Sequence, residues 1–177
     1  MSVLDKMVAA ITPEASDEDR AEVRAKARQQ ATRSQWFTMV LDQHQQVEAA
    51  FAAVKGAVTA ANQRLAQKQL ALLLTGHSVA EEVVLYPAMA LSDQKGHSTA
   101  AYAEQSAAKV QTAALDDLEP LSEDYLDKLE HLRAAVSHHV YEEESKWFPE
   151  LCNLGDATTQ ARLTARFSEE FARYTHA

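Results

Sequence analysis

One pattern occurs twice in this sequence, and it constrains the fold more than any other feature. His77-Ser-Val-Ala-Glu81-Glu82-Val-Val-Leu-Tyr86-Pro87 matches His139-Val-Tyr-Glu-Glu143-Glu144-Ser-Lys-Trp-Phe148-Pro149. In each, a Glu follows the His by four residues, a second Glu follows at once, and an aromatic residue precedes a Pro. At 3.6 residues per turn, positions i and i+4 of a helix differ by only about 40° around the axis. His77 and Glu81 therefore share a helix face, as do His139 and Glu143, while Glu82 and Glu144 are turned about 100° away. That rotation assigns Glu82 and Glu144 to outer or solvent-facing positions.

The surrounding sequence is helical in character. Gly and Pro number only four each in 177 residues, and 46% of the chain is apolar, so a packed helical domain is favoured over a sheet or a disordered chain. Thr12, Pro13 and the acidic residues after them predict a peripheral, alanine-rich helix to about residue 32, preceded by a short helix over 2–11. Ser34 is placed to cap a helix over 35–60, whose stripe is Phe37, Val40, Leu41, His44, Val47, Phe51, Val54 and Val58. A helix over 62–86 carries Ala66, Leu70, Leu73, His77, Glu81 and Val84 and stops before Pro87. The next opens at Ser98 or Thr99, after a turn-rich loop over 90–97, and ends near Pro120. Ser122 caps a fourth, with Tyr125, Leu129, Leu132, Val136, His139 and Glu143 on one face and Pro149 as its end. A last helix, over 157–174, buries Leu163, Phe167, Phe171 and Tyr174. The simplest arrangement is all-α: an up-down-up-down four-helix bundle over 35–151, with an N-terminal extension over 1–34 and a C-terminal helical segment over 152–177.

A single buried His is more often a core residue than a ligand. Here three helices each place a His on an apolar stripe, and two add a Glu on the same face. Burying three imidazoles and two carboxylates without a cation is costly, because an unpaired buried carboxylate costs several kcal/mol. A metal removes that cost. Imidazole and carboxylate without thiolate suit non-haem iron, manganese or zinc, and Cys152 lies beyond Pro149 as a poor ligand candidate. Two carboxylates on parallel helices favour two metals over one.

The net charge of −9 argues against nucleic acid and an anionic membrane as partners. A single cysteine excludes an intrachain disulfide and suits a reducing compartment. With no signal-like N-terminus and no apolar run of membrane-spanning length, the expectation is a cytoplasmic protein.

On Asp42-Gln43-His44, the two His-x-x-x-Glu-Glu segments, and their Leu85-Tyr86-Pro87 and Trp147-Phe148-Pro149 tails, the sequence resembles the hemerythrin-like, or HHE cation-binding, family over about residues 36–151. The resemblance implies a hemerythrin-like bundle holding a non-haem di-iron centre. It implies a protein that binds, senses or reduces oxygen, peroxide or nitric oxide, with catalase-like peroxide decomposition among the family's activities. The expected metal residues are His44, His77, Glu81, His139 and Glu143. The family usually adds a His from the third bundle helix, where this chain has Gln105. Glu104 leads as its replacement, ahead of Tyr102 and His97. His138 is expected to face away from the site, and Tyr86, Tyr141 and Phe148 to pack near it. The alternative to a redox protein is a non-enzymatic, metal-responsive sensor, for which the outer helices at either end offer a switch.

Overall fold

The computed structural model describes residues 15–175. They form six helices and, among the described residues, no strands. Helix α1 spans Asp17–Ala31 and α2 spans Gln35–Gly56. Helix α3 runs over 60–91, as Ala60–Ala80, a π-helical turn at Glu81–Leu85, and Tyr86–Leu91. Helix α4 is Lys95–Ala114 with a 3-10 turn at Leu115–Asp117. Helix α5 runs over 123–152, as Glu123–Glu142, a π-helical turn at Glu143–Trp147, and Phe148–Cys152. Helix α6 is Ala157–Thr175.

The two prolines do not end their helices as expected. A Pro inside an α-helix lacks its N–H and presses its ring on the carbonyl four residues back. Both helices absorb this with a π turn: the N–H of Tyr86 bonds the carbonyl of Glu81, and that of Phe148 bonds the carbonyl of Glu143, each five residues earlier. The Glu82 carbonyl accepts the Tyr102 hydroxyl at 2.5 Å. The helices then continue to Leu91 and Cys152.

Other boundaries also moved. The expected helix over 2–11 and the Thr12-Pro13 opening of the next one fall outside the described residues, while the body of that next helix is α1. Helix α1 is closed by a capping box, in which Ser16 and Asp19 each accept the other's backbone N–H. Ser34 stands at the N-cap of α2 but makes no capping bond, because its hydroxyl donates to Gln160 of α6 instead. Helix α4 begins at Lys95, and the Ser98 hydroxyl donates to the Tyr86 carbonyl. Val58 lies beyond the end of α2 and is exposed, and Tyr174 is more exposed than its stripe predicts.

The core divides in two. One apolar cluster gathers Trp36, Phe37, Val40 and Leu41 of α2 with Leu85, Tyr86 and Met89 of α3, Ala101 of α4, Trp147 and Phe148 of α5, and Phe167 of α6. The other gathers Val47, Phe51 and Val54 with Leu70, Leu115, Tyr125, Leu129, Leu132 and Val136. On each of four helices the sequence between the two clusters supplies a buried polar group: His44, His77 with Glu81, Gln105, and His139 with Glu143. The candidate site is this polar layer. Helix α1 buries only Ala27 and Ala31, while α6 is fixed by Gln160, which bonds Ser34, the Trp36 indole, and the carbonyls of Leu151 and Leu154. No described helix is long and apolar enough to cross a membrane.

Candidate metal centre

Each histidine of the layer is held from outside through Nδ1. His44 donates to Glu144 at 2.8 Å, His77 to Gln43 Oε1 at 2.9 Å, and His139 to Glu104 at 2.7 Å. The three Nε2 atoms are thereby turned inward. His44 Nε2 lies 3.3 Å from Glu143 Oε2, His77 Nε2 lies 3.3 Å from Glu81 Oε1, and His139 Nε2 lies 3.2 Å from Glu143 Oε1.

Donor atoms of His44, His77, Glu81 and Glu143, all four buried, lie within 4.8 Å of one another. His44 Nε2, Glu81 Oε1 and Glu143 Oε2 are buried without a hydrogen-bond partner. Orphaned buried polar atoms are rare because they forfeit solvation without compensation. Three of them converging on one point, all of metal-ligating type, fit a cation.

The other oxygens of the two carboxylates face a different set of groups. Tyr86 donates its hydroxyl to Glu143 Oε1 at 2.8 Å and lies 3.2 Å from Glu81 Oε2 and 3.1 Å from His139 Nε2. Gln105 Nε2 lies 2.6 Å from both Glu81 Oε2 and the Tyr86 oxygen. Tyr86 is thus more than a packing residue. In an α-helix a position five residues on is about 140° away around the axis, so α-helical counting hides it; the π turn returns Tyr86 to the face of Glu81.

The electrostatics describe a layer held together by protons. Burial opposes charge on His44, but the carboxylates of Glu143 and Glu144 prevail and raise it to about 9. Burial, reinforced by the charge of His44, lowers His77 to about 3. His139 is raised well above the usual range, against its burial, chiefly by Glu143 and Glu104. Glu143 is held far below the carboxylate range by His139 and His44 in spite of burial. Burial and then Glu143 push Glu81 well up. The buried carboxylates favour positive charge in this layer, which a bound cation would also supply.

The remaining candidates lie outside the cluster. Glu104 is on the far side of His139, bonded to Nδ1 and partly exposed. His97 stacks on Trp147 at 5.9 Å, with Nδ1 3.8 Å from Glu150. Tyr102 lies edge-on to Tyr86, at 5.1 Å. Gln105 is at the site, where the third bundle helix is expected to contribute, and its Oε1 is buried and unpartnered. Of the second glutamates, Glu82 pairs with Lys109 at 2.6 Å. Glu144 is buried between His44 and Arg24. A cavity of about 560 Å³ reaches the layer beside His77, Gln105 and His139; its lining includes apolar Val47, Leu74, Ala108 and Val136 and charged Lys68, Lys109 and Asp116.

Comparison with family models finds a match over residues 37–151 to the hemerythrin HHE cation-binding domain. The chain belongs to that family. No curated protein and no solved structure matches it. The matched segment of this hemerythrin-domain protein contains every residue of the cluster, both π turns and Tyr86, and leaves α1 and α6 outside.

Proposed function

We propose that the polar layer is a two-metal, non-haem iron centre that binds, senses or reduces a small oxidant such as oxygen, peroxide or nitric oxide. The single observation that carries this reading is the outward division of the two carboxylates. Glu81 and Glu143 each turn one oxygen toward His44 and His77 and the other toward His139, Tyr86 and Gln105. Each is therefore suited to bridge two positions. His44 and His77 would serve the first, and His139 the second, with the Gln105 amide close by. Manganese or zinc suits the same donors.

Bound iron would supply an electron-accepting and electron-donating centre with room for a small ligand. The chain's own groups do the rest. Tyr86 holds a proton at its hydroxyl, which burial and the neighbouring Glu143 and Glu81 keep from ionising. Gln105 orients that hydroxyl, and the cavity beside the layer has room for a small molecule. The clustering of early α2 residues with late α3 and α5 residues supports an up-down-up-down four-helix bundle, flanked by α1 and α6. A reducing, cytoplasmic setting suits the free, buried Cys152.

The test is to load the protein anaerobically with ferrous iron and then add oxygen or peroxide. The expected result is absorption of a coupled ferric pair that the oxidant perturbs, with peroxide turnover if the activity is catalase-like. Bound iron that neither oxidant affects would remove the redox reading. It would leave a metal-responsive module, a reading favoured by one contact of α1 described next.

A further inference from the structure

Helix α1 lies outside the segment that matches the family, yet one of its side chains reaches the histidine layer. The Nε of Arg24 lies 3.0 and 3.1 Å from the two carboxylate oxygens of Glu144. Its NH1 and NH2 form a fork on Glu48 of α2, at 2.8 Å each. Glu144 in turn accepts the Nδ1 proton of His44. His44 and Glu144 are both almost completely buried.

We infer that Arg24 is a positioning residue for the metal centre, acting through Glu144 on His44, so that docking of α1 and binding of metal are linked. The inference rests on the metal reading above. A buried carboxylate with one imidazole as its only partner would be under-compensated. Arg24 supplies the second partner and keeps Glu144 an acceptor, which fixes the tautomer and ring orientation that present His44 Nε2 to the layer. The other two histidines need no such helper: His77 leans on the neutral Gln43, and His139 on a Glu104 that water reaches.

The rest of the α1 interface makes this contact consequential. The helix fully buries only two alanines, so polar contacts carry much of its docking, among them those of Arg24 and of Arg28, which bonds Asp42 and Gln45 at 2.8 and 2.9 Å. A helix held by a few ion pairs detaches at modest cost. Linkage is reciprocal: if docked α1 tightens metal binding, metal tightens α1 by the same factor.

The experiment uses the full chain with Co(II) as the probe, measuring affinity by chelator competition, the ligand-field absorption, and hydrogen exchange in α1. Arg24→Ala is expected to weaken Co(II) binding about 10-fold or more and to alter the absorption. Arg28→Ala removes the surface contacts to Asp42 and Gln45 but leaves α1 docked through Arg24, so it keeps affinity within about 2-fold and leaves the spectrum unchanged. Arg24→Lys, which keeps the charge without the fork, falls between. Adding Co(II) to the wild type slows exchange in α1. Wild-type affinity and spectrum in Arg24→Ala would overturn the inference, as would an equal loss in Arg28→Ala. Should Arg24→Ala not fold, Arg24→Lys decides in the same terms. A wild type that takes up no metal would instead overturn the reading beneath it.

Discussion

The two His-x-x-x-Glu-Glu segments have the same spacing, the same π turn and the same proline, yet they finish differently. Their first glutamates, Glu81 and Glu143, both turn into the layer. Their second glutamates part: Glu82 reaches the surface and Lys109, while Glu144 is buried against His44 and Arg24. The aromatics before the prolines part as well. Tyr86 brings a hydroxyl to both carboxylates, whereas Phe148 packs against Trp36 and Phe37, at 5.5 and 5.9 Å. The repeat thus builds two similar helix bends, and the neighbours of each bend give it a separate task. One bend brings a proton donor to the site, and the other bears the support for a ligand on a different helix.

The comparison breaks most visibly at the shared positions. Glu81→Ala and Glu143→Ala should each abolish stoichiometric metal uptake, read by metal analysis, since either removes a shared carboxylate. In metal-free protein Glu143→Ala should also cost about 3 kcal/mol in denaturant unfolding, because it removes the carboxylate between His44 and His139 and leaves each only its outer partner, Glu144 or Glu104. If only one of the two variants lost metal, equivalent roles for the first glutamates would be wrong.

Proton linkage separates the histidines next. His44, raised from 6.5 to about 9, gives stability that is fully present below pH 6.5 and is lost as pH rises through about 9. His77, lowered to about 3, gives stability present above pH 6.5 and lost as pH falls toward 3. Metal-free protein should therefore be less stable on either side of about pH 6.5, by on the order of a few kcal/mol. His44→Gln should flatten the high-pH limb in chemical denaturation, and a limb of unchanged steepness would count against the assignment.

The second glutamates give the sharpest contrast. Glu144→Gln should loosen metal about 10–100-fold by chelator competition. Glu82→Gln should leave affinity unchanged and cost under about 1 kcal/mol of stability. Tyr86→Phe is expected to change metal-free stability by about 1–2 kcal/mol while retaining metal, and to slow any oxidant reaction that draws on its proton. An oxidant rate identical to that of the wild type would leave Tyr86 a structural role only.

Much of this was legible before the structure. His44, His77, Glu81, His139 and Glu143 are brought into one layer because i,i+4 stacking is a property of any helix, independent of its neighbours. What the spacing missed follows from the π turns. Counting at 3.6 residues per turn stops α3 and α5 at their prolines and leaves Tyr86 in the packing; a proline preceded by an aromatic and two glutamates was the available signal. The direction of Glu144 was hidden for another reason. Whether a second glutamate faces water depends on what packs over it, and Arg24 lies 120 residues away in sequence. Gln105 stands in the sequence where the family has a histidine, but its bonds to Glu81 and Tyr86 come from tertiary packing.

The central proposal is that Glu81 and Glu143 would each be shared by two cations. The most direct measurement is an anomalous-scattering map, at the iron edge, of crystals grown from protein purified without chelators. The account predicts two peaks between these carboxylates, one beside His44 and His77 and the other beside His139. A layer free of anomalous density in iron-loaded protein, or a single peak, whether within the layer or outside it, would contradict the account.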